Sequence, residues 1–309
     1  MTLRIAVDAG HGYTKALGES GERVLFPSLI APAPASVDLG EYAQVDTVWI
    51  DGQPYVIGEP ARSYATPLWS RDKATDEDTL RLILVAAAEL GAVGPVALAT
   101  GLPLSWFGSQ RRAFREALTG FGGVVQRAGQ PPQRVWFESV MVLPQGVAAA
   151  GSLLAAPTME SGAYLVVDVG YRTTDYIVVE KSADGGLDYE PSAAGSLELG
   201  MHTVSQAVAD EISSTHQVDY TPAEVEGRTH VVVRGQKLDV TQRAHEAREA
   251  VGRQIAKVLA ERLGPQADKL LGIVAVGGGS DILPTAIPGT IVPPDPQWAN
   301  AQGYLLALR

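Results

Sequence analysis

The chain has 309 residues, of which 46% are hydrophobic and 19% charged, a composition typical of globular proteins with a substantial core. Its formal net charge of −11 disfavours direct binding to nucleic-acid phosphates. The absence of cysteine excludes disulfides, thiolate metal sites and cysteine nucleophiles. The longest run of small and apolar residues, 146–159, is shorter than the roughly 18 residues of a membrane span, so we expect no span and a cytoplasmic location.

The first half of the chain alternates strand-like and helix-like patterns. A buried strand, LRIAV, leads into a turn that begins at Asp8. The Asp-Gly pair in WIDGQPYVIG predicts a tight hairpin, and DEDTLRLILVAAAEL predicts a helix that stops at Gly91. The other predicted elements are a strand in ERVLFPS, a buried strand in PVALATGLP, an amphipathic helix in SQRRAFREALTGFGG, and a strand, turn and helix in QRVWFESVMVLPQGVAAAGSLL.

The second half opens in the same way, with a strand, a turn and a strand in GAYLVVDVGYRTTDYIVVEK. A further hairpin is predicted near Gly185, and helices are predicted in MHTVSQAVADEIS and over 240–263. KLLGIVAVGGGSDIL predicts a strand that runs into a glycine-rich turn, and DPQWANAQGYLLAL predicts a short helix.

This alternation predicts an α/β fold with two related domains. We place domain I at residues 1–150, with a small inserted subdomain at about 20–90, and domain II at residues 151–294. The helix at 295–309 is predicted to pack back on domain I. A cleft between two such domains is a natural ligand site.

An Asp-x-Gly turn follows the first strand of each half, as DAGHGYTK at 8–15 and as DVGYRTTD at 168–175. Glycine lets the backbone approach a ligand closely, and the N–H groups that follow can form a nest for anions. A single turn of this kind favours a purely structural interpretation, whereas two copies with a lysine in one of them favour the structural and the phosphate-binding interpretations equally. A third glycine-rich turn decides for phosphate binding.

The phosphate-binding groups expected in the two turns are backbone donors, hydroxyls and cations. They are Gly10, Gly12, Tyr13, Thr14 and Lys15 in the first turn, and Gly170, Tyr171, Arg172, Thr173 and Thr174 in the second. Asp8 and Asp168 cannot bind phosphate, but carboxylates can hold Mg²⁺ through its waters. The repetition therefore predicts a magnesium nucleotide gripped by one turn from each domain.

A third turn, Gly277, Gly278 and Gly279, follows the buried strand IVAV. Three glycines would let the backbone lie flat against a planar group such as a purine ring. The alternative is a flexible loop, which the position between a strand end and a predicted helix start disfavours. This turn does not distinguish ATP from GTP.

These motifs together resemble a known superfamily, the ATPases that include actin, heat-shock chaperones and sugar kinases. The ordered set is DAGHGYTK, ESVMVLPQGVAA, DVGYRTTDY, GSLELGMHTV, VAVGGGSDIL and PDPQWANAQGYL. More narrowly, the chain resembles the bacterial and archaeal actin-like proteins of the ParM (StbA) plasmid-segregation type. The terminal DPQWANAQGYL segment and the compact length point to that branch.

The resemblance implies two actin-like, ribonuclease H-like domains around a central nucleotide cleft, with roles for individual residues. Gln145 would orient the attacking water, and Glu138 is a weaker candidate. Asp175 would support the second loop, and Glu198 would accept from the ribose hydroxyls. Gly278, Gly279 and Ser280 would lie beside the base, while Asp8 and Asp168 would act near the metal.

The sequence departs from the superfamily pattern at two positions. Arg172 stands where many members carry a small residue, and His11 stands where others carry Gly, Ser or Tyr. Arg172 would either reach a phosphate or face solvent. The other histidines have no metal-binding spacing, and we assign them no role.

Three functions are compatible with these residues. The first is a filament-forming ATPase that assembles head-to-tail and hydrolyses Mg-ATP slowly, in plasmid segregation or in a prokaryotic cytoskeleton. The net charge would then require a DNA-binding adaptor protein. The second is a small-molecule kinase of the same superfamily, and the third is a non-hydrolysing scaffold for pilus assembly or cell shape.

Overall fold

The computed structural model describes residues 2–34, 46–65 and 70–309. The chain divides into two units, which are described separately: unit 1 comprises Met1–Ser152 and Trp298–Arg309, and unit 2 comprises Leu153–Gln297. Residues 35–45 and 66–69, which belong to the predicted inserted subdomain, lie outside the described ranges. The segment after residue 297 therefore belongs to the same unit as the first strand.

Strands and helices alternate along the described ranges. The strands are β1 (Leu3–Ala9), β2 (Tyr13–Gly18), β3 (Arg23–Pro27), β4 (Ile30–Pro32), β5 (Thr47–Ile50), β6 (Gln53–Ile57), β7 (Gly94–Leu102), β8 (Gly122–Arg127), β9 (Gln133–Pro144), β10 (Gly162–Val169), β11 (Thr174–Lys181), β12 (Leu187–Leu197), β13 (His230–Val233), β14 (Gln236–Asp239) and β15 (Gly272–Val276). The α-helices are α1 (Glu77–Glu89), α2 (Leu104–Leu118), α3 (Val147–Leu154), α4 (Met201–His216), α5 (Pro222–Val225), α6 (Thr241–Leu263), α7 (Leu283–Ala286) and α8 (Ala299–Ala307).

A mixed sheet organises the described part of unit 1, in the order β3-β2-β1-β7-β9-β8-β5-β6-β4. β1, β7 and β9 are parallel neighbours, and Val7 lies opposite Thr100, which lies opposite Val142. Their carboxyl ends therefore meet at one edge of the sheet, where α/β proteins commonly place functional residues. Strands β3 to β6, from the predicted inserted subdomain, extend the two ends of this same sheet.

The central strand β1 is buried on both faces, which explains its continuous apolar sequence. Ile5 and Val7 belong to a core cluster that also contains the buried face of α1. Ala6 points to the opposite face and packs in a cluster with Trp298 and Tyr304 of the C-terminal segment. The predicted α1 helix is confirmed, and none of the helices in the described ranges is long and apolar enough to cross a bilayer.

Strand β2 differs from the sequence-based expectation, which placed residues 13–15 in a loop. The structure pairs Tyr13–Gly18 antiparallel with both β1 and β3. Its sequence, YTKALG, contains a lysine, an alanine and a terminal glycine, residue types that are depleted in strands. Pairing between two neighbouring strands therefore imposes a conformation that the local sequence does not favour. The predicted β5–β6 hairpin is confirmed, with positive φ at both Asp51 and Gly52.

Unit 2 contains a four-stranded sheet in the order β12-β11-β10-β15, with β10 parallel to β15. Its core combines Leu165 and Val167 of β10 with Ile255 and Leu259 of α6. A separate two-stranded hairpin, β13–β14, was not predicted. Its turn has Arg234 and Gly235 at positive φ, and the apolar run before this Arg-Gly pair was the available signal.

Candidate functional site

Asp8 is a buried carboxylate of unit 1 that two other predicted site residues contact. It lies near the end of β1 and is only 3% exposed. Lys15, its cross-strand neighbour on β2, donates from Nζ to Oδ2 at 2.9 Å. Gln145, which follows β9, donates from Nε2 to Oδ1 at 2.9 Å. Both carboxylate oxygens therefore accept a hydrogen bond, and the structure brings three predicted site residues together.

The environment of Asp8 lowers the pKa of its carboxyl group below the ordinary value. Burial is the largest single influence and acts in the opposite direction, because it penalises the charged form. The positive charge and hydrogen bond of Lys15, the charge of Lys73 and the hydrogen bond from Gln145 together outweigh burial. Asp8 is therefore an ionised carboxylate at neutral pH.

Lys73 is a site residue that the sequence analysis missed. It is 3% exposed, and its Nζ donates to the backbone carbonyl oxygen of Ala9. It lies in the segment before α1, 58 residues beyond Lys15 in the chain. A single lysine in a polar stretch has no spacing signal, so only the tertiary structure reveals its place beside Asp8.

The turn of the first hairpin, which joins β1 to β2, is closed by backbone bonds. Gly10 donates to the carbonyl of Tyr13 at 3.1 Å, and Ser28 donates to the carbonyl of Gly12 at 2.9 Å. The Thr14 hydroxyl lies 2.8 Å from the Ser28 hydroxyl, and both side chains are fully buried. Thr14 therefore braces the hairpin from inside, whereas the sequence analysis expected its hydroxyl to face a phosphate.

His11 packs against α2 at the tip of the same turn. Its ring makes an edge-on contact with Trp106, with the ring centroids 5.5 Å apart. The neighbouring Tyr13 is 40% exposed. The turn thus presents one exposed aromatic side chain and one that is held against the helix.

Gln145 is held in place by its own backbone and by the C-terminal helix. Its N–H donates to the carbonyl of Leu102 at the end of β7, at 2.8 Å. The next N–H, of Gly146, donates to Oδ1 of the buried Asn300 at 2.9 Å. A Cβ on Gly303 would lie 3.0 Å from Cα of Ala148 and still closer to its carbonyl group. The Asn and the Gly of the terminal DPQWANAQGYL segment therefore fasten α8 to the segment that carries Gln145.

Glu138, the weaker candidate for orienting water, lies elsewhere. Its carboxylate is exposed and accepts from the Thr2 hydroxyl at 3.1 Å. Thr2 precedes β1, whereas Asp8 lies near the other end of that strand, six residues or about 20 Å away. Glu138 was therefore a wrong candidate, because β9 is long enough to carry it away from the carboxyl-end edge.

The second hairpin, which joins β10 to β11 in unit 2, repeats the first. Gly170 donates to the carbonyl of Thr173 at 2.9 Å, in the same relation as Gly10 and Tyr13. Asp168 occupies the place of Asp8 and is 6% exposed, but its cross-strand neighbour is Asp175 rather than a lysine. The Ser196 hydroxyl donates to the Asp175 carboxylate across the pairing of β11 with β12, and the supporting role of Asp175 stays a prediction.

Helix α4 begins directly against the second hairpin. The N–H groups of Met201 and His202 donate to the carbonyls of Gly170 and Tyr171, at 3.1 and 2.7 Å. The Thr174 hydroxyl donates to the carbonyl of Leu199 at 2.8 Å. The helix N-terminus and the loop that precedes it therefore fix the turn.

Arg172 lies beside Glu198 in the structure. Its Nε is 3.4 Å from Oε2 of Glu198, and the Arg172 side chain is 12% exposed. Burial and the nearby Arg172 charge lower the pKa of the His202 imidazole. The sequence analysis left open whether Arg172 reaches a phosphate or faces solvent, and the solvent-facing interpretation is wrong. Arg172 instead pairs with Glu198, another predicted site residue.

The glycine-rich turn after β15 packs onto the end of β10. Gly277 has a φ of 87°, and a Cβ there would overlap the Asp168 carboxylate and lie 2.9 Å from the carbonyl carbon of Val169. The N–H of Gly279 donates to the Val169 carbonyl at 3.0 Å. A Cβ added at Gly278 would have no neighbouring atom within 4 Å, while Ser280 is 2% exposed. Glycine at 277 is thus required by the protein itself, and Gly278 is the member with room for a ligand.

The two predicted metal-binding carboxylates belong to different units, Asp8 to unit 1 and Asp168 to unit 2. Within the described residues, no group of three or more histidine, aspartate or glutamate side chains could hold a metal by itself.

Comparisons with known proteins identify the family of both parts of the chain. Residues 6–147 match the family model for the N-terminal domain of actin-like proteins, and residues 166–288 match the C-terminal model of the archaeal, MreB-like actin homologues. The chain belongs to the actin-like proteins. The predicted family and the predicted two-domain α/β fold are confirmed.

Relatives of this actin-like protein are found among archaeal and bacterial proteins. It is 27% identical to the archaeal actin homolog of Thermoplasma acidophilum, over 97% of each chain. It resembles the crystal structure of an archaeal actin homolog with a TM-score of 0.82 and 25% identity over 99% of both chains. The ADP complex of that homolog gives a TM-score of 0.80 and 24% identity over 99% of both chains. A 15-stranded ParM filament from Clostridium botulinum gives a TM-score of 0.85 and 20% identity over 99% of this chain and 98% of that chain.

Proposed function

We propose that this actin-like protein binds a magnesium-bound nucleoside triphosphate, ATP or GTP, hydrolyses it slowly, and assembles head-to-tail into filaments. The observation that carries the proposal is the buried, ionised Asp8, held by Lys15 and Gln145 at the carboxyl ends of parallel strands. The second hairpin, with Asp168 in the corresponding place, supports it. So does the ADP complex of an archaeal actin homolog with the same fold.

The first hairpin supplies cationic and backbone donors for phosphate. The Lys15 ammonium has three donors, and one of them goes to Asp8, which leaves the others for phosphate oxygens. Backbone N–H groups at Gly12 and Tyr13 would add neutral donors, as would the backbone N–H groups of Arg172 and Thr173 in the second hairpin. The Gly170 N–H is already donated to the Thr173 carbonyl and closes that turn. Positioning and charge neutralisation of this kind provide most of the catalysis in phosphoryl transfer.

Asp8 and Asp168 are the residues that would hold Mg²⁺. The donor chemistry fits, because this ion prefers hard carboxylate oxygens and Asp8 is kept ionised. The ion would neutralise charge on the β- and γ-phosphates. The protein's own part is to present the two carboxylates, and Lys15 and Gln145 fix the orientation of the first.

Gln145 would orient the attacking water. One amide N–H donates to Asp8, and this bond fixes the plane of the amide. Its carbonyl oxygen then accepts a hydrogen bond from water, and a neutral amide cannot remove a proton strongly. We therefore propose slow hydrolysis, suited to timing the life of a filament. Glu198 would accept from the ribose hydroxyls, and Gly278, with Gly279 and Ser280, would lie near the base.

Filament growth requires a heterologous contact that repeats without closing. The ParM filament with a similar fold supports this mode of assembly. We propose a cytoplasmic role in DNA segregation or in a prokaryotic cytoskeleton. With a net charge of −11, attachment to DNA would require an adaptor protein with a basic DNA-binding surface.

Sedimentation with Mg-ATP tests the proposal. The purified chain is mixed with Mg-ATP and centrifuged at high speed while phosphate release is followed. Pelleting that depends on nucleotide, with slow phosphate release, is the expected result. ATP consumption that requires an added small-molecule acceptor would instead identify a kinase, and pelleting without phosphate release would identify a scaffold.

A matched pair of variants tests the role of Gln145. Gln145→Ala is expected to slow phosphate release without abolishing nucleotide binding. Gln206 on α4 is the control, because its Nε2 also donates to an aspartate carboxylate, that of Asp210, at 2.7 Å on the surface. Gln206→Ala should leave phosphate release unchanged. Equal turnover in the wild type and in Gln145→Ala would remove Gln145 from the mechanism.

A further inference from the structure

Lys73 is a buried lysine with a specific backbone partner. Its side chain is 3% exposed, although lysine is almost never buried unless its charge is compensated. Its ammonium donates to the carbonyl of Ala9, the residue between Asp8 and Gly10. The protein therefore keeps a buried positive charge at the turn of the first hairpin, despite its desolvation cost.

The contact fixes one particular peptide group. The carbonyl of the Ala9–Gly10 peptide accepts from Lys73, and the N–H of the same peptide donates to Tyr13 at 3.1 Å. Because the peptide is planar and trans, its C=O and N–H point in opposite directions, and two partners on opposite sides lock its orientation. That peptide begins the turn whose N–H groups are proposed to face phosphate.

In the second hairpin, hydrogen bonds on opposite sides fix the corresponding peptide group, but one of the partners differs. There the N–H of Gly170 donates to Thr173 at 2.9 Å, and the carbonyl of Val169 accepts from the backbone N–H of Gly279 at 3.0 Å. Lys73 in unit 1 thus takes the place that a backbone N–H of the glycine-rich turn takes in unit 2. The difference is that Lys73 also carries a positive charge.

Hydrogen bonds with α2 and within the segment itself fix the residues around Lys73. The Lys73 N–H donates to Oε1 of Gln110 on α2 at 3.4 Å, and the Gln110 amide donates back to the carbonyl of Arg71. Oδ1 of Asp72 accepts from the N–H of Ala74 at 3.0 Å. These bonds hold the backbone in a position from which the Lys73 side chain reaches the first hairpin.

We propose that Lys73 is a positioning residue of the phosphate site, which holds the Ala9–Gly10 peptide and adds a second positive charge beside Lys15. This inference rests on the proposed nucleotide binding. Lys15, Lys73 and Asp8 together carry one net positive charge, in a chain whose net charge is −11. Loss of Lys73 should therefore weaken the binding of a polyphosphate more than it slows the chemical step.

The test compares Lys73→Met with a control at another buried lysine. Lys181 in unit 2 is 7% exposed and donates to the carbonyls of Ala156 and Met159, at 2.8 and 2.9 Å. Both substitutions remove a buried ammonium from backbone carbonyls, so both should lower the unfolding midpoint. Only Lys73→Met should raise the Kd for Mg-ATP, measured by calorimetry, by about tenfold or more, the size expected for a charged hydrogen bond.

Kinetics and rescue separate positioning from a general loss of structure. Lys73→Met should raise KM for ATP while kcat stays within about threefold of the wild type, because Gln145 still contacts Asp8. Lys73→Arg, which keeps the charge, should restore the Kd to within about threefold. Lys73→Gln, which is neutral, should bind as weakly as Lys73→Met and replaces it in the test if the methionine variant does not fold.

Wild-type affinity in a folded Lys73→Met or Lys73→Gln protein would overturn the inference. An equal loss of affinity in Lys181→Met would do the same, because it would assign the effect to stability. A wild-type chain that does not bind Mg-ATP contradicts the proposed function itself, so the two failures are distinguishable.

Discussion

Replacing Gly303 with alanine should destabilise the protein, although alanine is the better helix former. A Cβ at this position of α8 would lie 3.0 Å from Cα of Ala148 and closer to its carbonyl group, where carbon atoms normally stay about 3.5–4.0 Å apart. The obstacle is backbone, which cannot rotate aside. Overpacking of this kind lowers the free energy of unfolding by about 3 kcal/mol at the upper end of its usual range. The higher helix propensity of alanine offsets about 1 kcal/mol of that loss.

The net loss should therefore be about 2 kcal/mol, and more if α8 moves far enough to break a nearby hydrogen bond. That bond joins Oδ1 of Asn300 to the N–H of Gly146, next to Gln145. A shift of α8 should therefore also slow phosphate release by displacing Gln145.

Urea unfolding followed by circular dichroism measures the loss, with Gly108→Ala as the matched control. Gly108 lies in α2, and a methyl group added there would have no atom within 4 Å, so alanine should be neutral or stabilising by up to about 1 kcal/mol. A Gly303→Ala protein as stable as the wild type would refute the reasoning, because it would show that α8 can move away from α3 without cost.

Three further predictions concern the hairpins. Because the pKa of Asp8 is lowered from its ordinary value of 3.8, its contribution to stability is present above that pH and is lost as the pH falls through the lower folded-state value. The difference in urea midpoint between the wild type and Asp8→Asn should therefore shrink between neutral pH and about pH 3. Thr14→Val should cost about 1–3 kcal/mol, because the buried Ser28 hydroxyl loses its partner, and a double-mutant cycle with Ser28→Ala should show that the two losses are not additive. Gly277→Ala forces an alanine to a φ of 87° and overlaps the Asp168 carboxylate, so Mg-dependent nucleotide affinity should fall, whereas unchanged affinity would mean that this turn does not shape the site.

The sequence was sufficient to predict the repeated turn, because its signal is local. Asp-x-Gly after a buried strand specifies a strand end and a turn within a few residues, and the structure has such a turn at Gly10 and at Gly170. The long helices were predictable for the same reason, since the apolar stripe of α1 is contained in its own sequence.

Contacts between distant segments were not predictable from local patterns. Lys73 reaches Ala9 across 64 residues, and Gln145 reaches Asp8 across 137. Glu138 lies only seven positions before Gln145, yet the rise along β9 carries it to a different part of the sheet. The motif favoured Gln145 but placed neither residue in space, and only the strand register shows that Glu138 lies away from Asp8.

The glycine-rich turn shows a further limit of sequence reasoning. All three glycines were assigned to the ligand, but Gly277 is required by the Asp168 carboxylate and the Val169 backbone. Any group that approaches the backbone closely can require a glycine there. The sequence does not say whether that group belongs to the protein or to a ligand.

The place of α8 has a consequence for the order of events during synthesis. Trp298 and Tyr304 fill a cluster on β1 that would otherwise lie open to water. A ribosome must therefore add all of residues 153–297 before the first unit can close its second face. At about 5–20 residues per second, the nascent chain carries that exposed apolar patch for several seconds or longer. During this interval Asn300 has not yet reached Gly146, so a truncated or stalled product should be both prone to aggregation and unable to set Gln145 in place.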